Sequence, residues 1–305
     1  MNDEKTLMYE AATLYYDKKL TQQEIAAQMK LSRQTVSKLL TDALRENIVE
    51  IKIHNPRQER KTLEQKICEH FGIVNAVICS ASSENESIRR TMTVRAAVDY
   101  LLPVVQKGNL KIGVSWGRTV REVIQTLPET ATAGNTVFPL FGATDNEKAY
   151  FSSNELARNL ADKLGADLKQ AWFPYKPETE ADYHLLKQLS YYQKMQAMWD
   201  SADLMILGIG NTEILEIFGR TFGYSQIHTQ AIGDVATNFF DVTGAFVKLY
   251  ENTLCASAEN IKNTKQAVAI ASGTEKAEAA AAALRTGVID TLITDEQTAR
   301  EILKV

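Results

Sequence analysis

The chain has 305 residues, 45% hydrophobic and 24% charged, with 34 Lys+Arg against 38 Asp+Glu for a formal net charge of −4. That composition supplies a sizeable core and excludes a protein that coats nucleic acid by overall charge, while leaving room for a local basic patch. No run of eighteen apolar residues is present to span a membrane, the start MNDEKTLMYE is unlike a secretory leader, and Cys68, Cys79 and Cys255 lack the short spacings of a disulfide framework or zinc module.

Residues 1–56 read as a separate unit. Leu7, Ala11, Leu14 and Tyr15 fall on one face of a first helix. In TQQEIAAQM, Thr21 stands three residues before Glu24, the spacing at which each side chain satisfies a free amide, and Leu20 with Ile25 forms a hydrophobic staple. In KLSRQTVSKLLTDALREN, Ser32 is the N-cap and Leu31 with Val36 a second staple. Val36, Leu39, Leu40, Ala43 and Leu44 point inward, which leaves Arg33, Gln34, Ser37 and Lys38 outside. Arg and Lys suit guanine acceptors or phosphates, Gln suits adenine and Ser suits either. Two capped helices across a tight MKLS turn predict a helix-turn-helix, with Thr21, Gln22, Ser32 and Thr35 completing the DNA-facing set. NIVEIKIHNP alternates Val49, Ile51 and Ile53 against polar residues, the pattern of a short strand or wing. A plain helical hairpin would share the caps, but the outer face free of acids over its first turns favours DNA. Residues 1–60 hold 10 Lys+Arg and 9 Asp+Glu, so one copy binds weakly and a dimer or tetramer is expected.

A connecting helix is predicted over 57–72, with Leu63, Ile67 and Phe71 on one side and the domain boundary near Pro56. From 73 to 305, strand-like runs alternate with amphipathic helices. VNAVIC, NLKIGVSW, TVFPLFG, DLMILGIG, QAVAIAS and DTLITD read as strands, several apolar enough for burial on both faces. SSNELARNLADKLGA and TEKAEAAAAALRTG read as helices. The pattern predicts an α/β domain, a largely parallel sheet covered on both sides.

Ligands of such sheets gather beyond the strand carboxyl ends. Four loops there stand out: SWGRT (115–119), LFGATDN (140–146), LGIGN (207–211) and ASGTEKAEAA (271–280). The first offers amides to an anion at a helix start, and Gly208 and Gly210 allow close backbone approach. Lys276 falls in the first turn of a helix, where the dipole disfavours a cation unless an anion binds there too. IGDVATNFFDVTGAF adds Asp234 and Asp241, carboxylates suited to sugar hydroxyls, although Asp241 before VTG also fits a hairpin turn.

Assembled in order, LYYDKKLTQQEIAAQMKLSRQTVSKLL, YLLPVVQKGNLKIGVSWGRTV, ADLMILGIGN, AIGDVATNFFDVTGAF and ASGTEKAEAAAAALRTGVIDTLITDEQTAREIL resemble the SorC family of bacterial sugar-responsive transcriptional regulators. The resemblance runs over nearly the whole chain. It implies a cytoplasmic regulator that binds operator DNA through its helix-turn-helix. It also implies an effector domain similar in fold to glucosamine-6-phosphate deaminase and ribose-5-phosphate isomerase, a phosphorylated sugar or sugar-alcohol effector, and tetramers or dimers. Carried over by position, Ser115, Trp116, Gly117, Arg118 and Thr119 form the effector loop. Asp234 and Asp241 are the acids, and Lys276 is on the phosphate side; the strand-end glycines Gly142, Gly208 and Gly210 join the expected effector set by their place at the strand carboxyl ends. The chain departs from the family at Ser272-Gly273 and Gly142-Ala143, where paired glycines are frequent. No metal or cofactor is implied.

GVSWG (113–117) also matches the G-x-S-x-G nucleophile elbow of hydrolases. Only His184 and His228 follow it, and within the resemblance Ser115 belongs to an effector loop. A sugar-phosphate isomerase or deaminase carrying a DNA-binding appendage is the enzymatic alternative. It needs a positioned acid/base pair, and the strand-end loops hold no His. A regulator that answers to a partner protein, with an empty pocket, is the third reading.

Overall fold

A computed structural model describes residues 2–50, 56–80, 85–144, 152–213, 216–217 and 230–305. The chain divides into two units, Met1–Pro56 and Arg57–Val305.

In the first unit, helices Asn2–Ala12, Gln22–Met29 and Arg33–Arg45 surround a small core, and a π-helical turn, Thr13–Asp17, follows the first of them. Met8, Ala11, Ala12, Ile25, Ala26, Val36, Leu39, Leu40 and Ala43 fill that core. Of the face expected to turn inward, Ala11 is buried and Leu14 and Tyr15 pack against the core, but Met8 stands in for Leu7. Met8 is buried, whereas Leu7 is 38% exposed. Met8 lies three and four residues before Ala11 and Ala12, so it fits the helical period as well as Leu7 does. Leu44 is likewise exposed, and Asp42 is buried instead, paired with Arg45 at 3.0 Å. Lys30 takes a left-handed conformation (φ 56°), and the Leu31 amide returns to the Ala26 carbonyl, which makes the turn between the two capped helices tight. Residues 46–50 form a turn and bends rather than a strand, with Ile48 and Val49 packed against the core. The rest of the expected wing, 51–55, lies outside the described residues.

The second unit opens with helix Pro56–Phe71 and is built on a sheet. Its strands are β1 (Asn75–Cys79), β2 (Lys111–Val114), β3 (Thr136–Pro139), β4 (Asp167–Leu168), β5 (Leu204–Gly210), β6 (Ala231–Val235), β7 (Asn238–Asp241), β8 (Phe246–Val247), β9 (Ala267–Ile270) and β10 (Thr291–Asp295). The order β1-β10-β9-β5-β2-β3-β4 is parallel throughout. Alternate residues serve two separate cores. Leu204 and Ile206 of β5 join the core under helices Glu86–Val105, Arg118–Thr126 and Ser153–Leu164. Met205, Leu207 and Ile209 join the other, under helices Pro56–Phe71, Ser190–Asp200, Ala277–Arg285 and Glu296–Ile302. Two-sided burial explains why these strands read as unbroken apolar runs.

An antiparallel ribbon, which the sequence reading missed, leaves this sheet. The end of β5 pairs with β6, β6 with β7 and β7 with β8. The β6–β7 turn places Ala236 and Thr237 at φ 47° and 65°. These are hairpin-turn conformations that a β-branched residue rarely adopts. Among the described residues no helix is long and apolar enough to cross a membrane.

Candidate functional site

On the helix-turn-helix, Arg33, Gln34, Ser37 and Lys38 project from the first turns of helix Arg33–Arg45 and are exposed, while Val36 between them is buried. Thr21, Ser32 and Thr35 are engaged locally. The Glu24 amide donates to Thr21 Oγ1 at 3.3 Å, and the Thr21 amide and hydroxyl donate to the Glu24 carboxylate at 2.8 and 2.7 Å. Ser32 Oγ accepts the Thr35 amide at 3.0 Å and lies 2.7 Å from its hydroxyl. Their side chains build the helix starts that aim the outer face. Gln22 is half-buried.

In the second unit, a cavity of about 230 Å³ opens at the carboxyl ends of β2, β5 and β9. Trp116, Gly117, Arg118 and Thr119 reach it from the turn after β2; Gly208 and Gly210 reach it from β5; Asp234 and Lys276 complete it. Two helical starts face it with glycine caps. Gly117 (φ 118°) precedes helix Arg118–Thr126, and Gly273 (φ 110°) precedes the short 3-10 turn Thr274–Lys276. Elsewhere Asn85, Ser152, Thr179, Ser257 and Asp295 lend a side-chain oxygen to the first amides. A glycine cannot, so the lining Gly117 start lends no side chain of its own to its first amides and leaves them to an outside acceptor. At the second start the Gly273 amide donates to Thr298 Oγ1 (3.0 Å) and Asp295, and the Glu275 carboxylate lies against Gly273.

Lys276 ends the 3-10 turn and caps helix Ala277–Arg285, rather than lying within a regular first turn. Its ammonium donates to the Ile209 carbonyl at 3.3 Å. Burial, and then the Arg118 charge, lower its pKa, while Glu275, Asp234 and Glu213 oppose that shift. Asp234 is placed by the β5–β6 ladder, opposite Gly210, and is 1% exposed. Burial raises its carboxyl to about 6, against hydrogen bonding from the Thr237 amide (2.9 Å) and the Trp116 side chain and the pull of Lys276. Behind the loop, Asp295 is fully buried. It accepts from the Ser272 hydroxyl (3.1 Å), the Gly273 amide (3.3 Å) and the Thr298 hydroxyl (2.6 Å), and it faces Arg89 at 3.7 Å.

Three expected effector residues lie elsewhere. Ser115 is fully buried, because just beyond β2 its amide still bonds to the Ile206 carbonyl of β5 before the chain turns to the cavity. No nucleophile elbow exists here: Ser115 has no exposed Oγ, His184 is on an exposed helix paired with Glu180, and His228 lies outside the described residues. Gly142 packs against Phe173–Pro174, whose backbone would lie 2.6 Å from a Cβ at that position. Asp241 stands at the β7–β8 turn, where its carboxylate accepts from the Thr243 amide and hydroxyl and the Ala245 amide. The Thr243 hydroxyl bond is the main reason its pKa is lowered. It is the hairpin residue that VTG also fitted. Residues 145 and 146 of the LFGATDN loop fall outside the described residues.

The sequence reading missed Glu86, Arg90, Glu213 and Glu275, which also line the cavity. Glu86 and Arg90 share a helix face at the i, i+4 spacing, a pattern as common on solvated surfaces. Glu213 and Glu275 carried no signal. Among the described residues no cluster of three or more His, Cys, Asp or Glu is arranged to hold a metal ion.

Residues 56–304 match the family described as "Putative sugar-binding domain", and residues 12–46 match "Sigma-70, region 4". The chain is similar to the sorbitol operon regulator of Klebsiella pneumoniae, with 26% identity covering 99% of each chain, and to the deoxyribonucleoside regulator of Bacillus subtilis, with 24% identity covering 99% of this chain and 98% of that one. The crystal structure of the full-length Klebsiella pneumoniae regulator superposes with a TM-score of 0.73 at 26% identity, covering 99% of each chain. These relatives are named regulators, not enzymes.

Proposed function

Because the chain belongs to the SorC family of transcriptional regulators, with a helix-turn-helix and a sugar-binding domain, we propose that a phosphorylated sugar or sugar alcohol, bound in the 230 Å³ cavity, controls its affinity for operator DNA. The observation that carries this reading is the convergence on one cavity of the glycine-capped start of helix Arg118–Thr126 and the Lys276 ammonium. A phosphate answers free amides and a cation together, and its charge offsets the cost of burying Lys276. Asp234 and Thr119 supply partners for sugar hydroxyls. Arg33, Gln34, Ser37 and Lys38 read the operator, and a cytoplasmic dimer or tetramer supplies the paired half-sites that one weakly basic unit needs.

The test is a thermal-shift screen of sugar phosphates and their free sugars on native protein and Lys276→Ala. A phosphorylated ligand should stabilise the native protein far more than its free sugar, and Lys276→Ala should remove most of that difference. Equal stabilisation by the phosphorylated and free forms of every sugar would sink the reading.

A further inference from the structure

Glu213 and Arg118 meet at the cavity that holds Lys276. Arg118 Nη2 lies 3.4 Å from Glu213 Oε2, with the side chains 55% and 61% exposed, and both residues line the cavity. Their charges are felt at the anion site itself: Arg118 pushes the Lys276 pKa down, and Glu213 pushes it up. Arg90, another cation lining the cavity, is shared between Glu122 at 3.4 Å, outside the lining, and the lining Glu86 at 4.0 Å, one turn back on its own helix. Arg118 instead meets its lining carboxylate, Glu213, from a different segment of the chain. The pair makes a single-point contact between exposed groups, and pairs of that kind are weak. A phosphate carries about 1.5–2 negative charges and three acceptor oxygens, more than one carboxylate offers a guanidinium.

We propose that Glu213 is a specificity-determining residue: an internal competitor for Arg118 that an incoming anion must displace, which penalises anionic ligands until they outbid it and leaves neutral ones unaffected. The inference rests on the phosphate reading of the cavity and adds to it a built-in threshold. Glu275 provides a contrast, because it lines the same cavity and has no ion pair with Arg118 among the described residues.

The probes are glycerol 3-phosphate and glycerol, which differ only in the phosphoryl group, titrated against the full-length protein by calorimetry or thermal shift. Glu213→Gln should tighten glycerol 3-phosphate about two- to fivefold, the equilibrium weight of an exposed ion pair, and leave glycerol unchanged. Glu213→Gln also removes simple repulsion, as Glu275→Gln does, so in an Arg118→Gln background its gain should shrink to that of Glu275→Gln, which should itself be unchanged by the loss of Arg118. A Glu213→Gln gain that stays undiminished without Arg118, or no gain at all, overturns the proposal. Lys276→Ala separates the two levels of the argument. If it weakens glycerol 3-phosphate while Glu213→Gln does nothing, the cavity still binds the anion and only the competitor role is lost. If it has no effect, the phosphate reading itself fails.

Discussion

Asp234 sits opposite Gly210 across the antiparallel β5–β6 ladder, so one backbone pairing carries a buried carboxyl into the cavity that holds Lys276. Burial raises that carboxyl from 3.8 to about 6. The folded protein therefore holds this proton more tightly than the unfolded chain does. Its contribution favours folding below pH 4 and is lost as pH rises through 6. Asp234→Asn should remove this dependence. Urea unfolding should show the variant gaining roughly 1–2 kcal/mol relative to native protein between pH 5 and pH 7.5. A constant offset between the two proteins across that range would contradict the assignment.

Asp295 fastens the Ser272-Gly273 loop and faces the buried Arg89. Asp295→Ala removes a buried acceptor and the carboxylate opposite a buried cation, and should cost about 3–5 kcal/mol. Asp295→Asn keeps an acceptor and should cost less. Among variants that remain folded, phosphate affinity should fall, because the Gly273 helical start loses its anchor. Denaturant melts with parallel ligand titrations measure both effects.

On the first unit, Gln34 and Lys38 should separate by chemistry. Gln34→Ala should weaken the operator by roughly 1–3 kcal/mol if it pairs with a base, with little change on unrelated DNA. Lys38→Ala should weaken both sequences and flatten the salt dependence, as expected of a phosphate contact. Fluorescence anisotropy on operator and scrambled duplexes at several salt concentrations distinguishes them.

Thr21 and Ser32 should behave as caps. Each →Ala change should lower the stability of the helix-turn-helix by about 1 kcal/mol. Operator affinity should drop only as far as folding does, so the loss should shrink on cooling or with added osmolyte. A loss of operator affinity at full helicity by circular dichroism would make them direct contacts instead.

The sequence was legible where local chemistry repeats. Thr21 with Glu24, Ser32 with the Leu31–Val36 staple, and the apolar positions of helix Arg33–Arg45 announce two capped helices, because caps and 3.6-residue periodicity act within a few residues. Runs such as DLMILGIG and QAVAIAS announce strands buried on both faces. Gly117, Arg118 and Lys276 could be singled out because a glycine cap and a cation at a helix start are odd locally.

The rest was decided by contacts between distant segments. Leu7 is exposed and Met8 buried, although both fit the helical period with Ala11, and only packing in the core chooses between them. The same tripeptide logic that offers Asp241 as a sugar ligand also fits a turn, and only the β7–β8 pairing settles which carboxylate faces the cavity. Ser115 is one residue from Trp116, yet strand alternation and the ladder to Ile206 bury the first and deliver the second to the cavity. The helix-turn-helix, the parallel sheet and the residues of the two glycine-capped starts belong to the sequence by itself, since they arise from forces that act over a turn or a strand. Which acids join them — Asp234 across from Gly210, Glu213 against Arg118 — belongs to the tertiary structure, because no local rule relates residues brought together by a sheet ladder or a shared cavity.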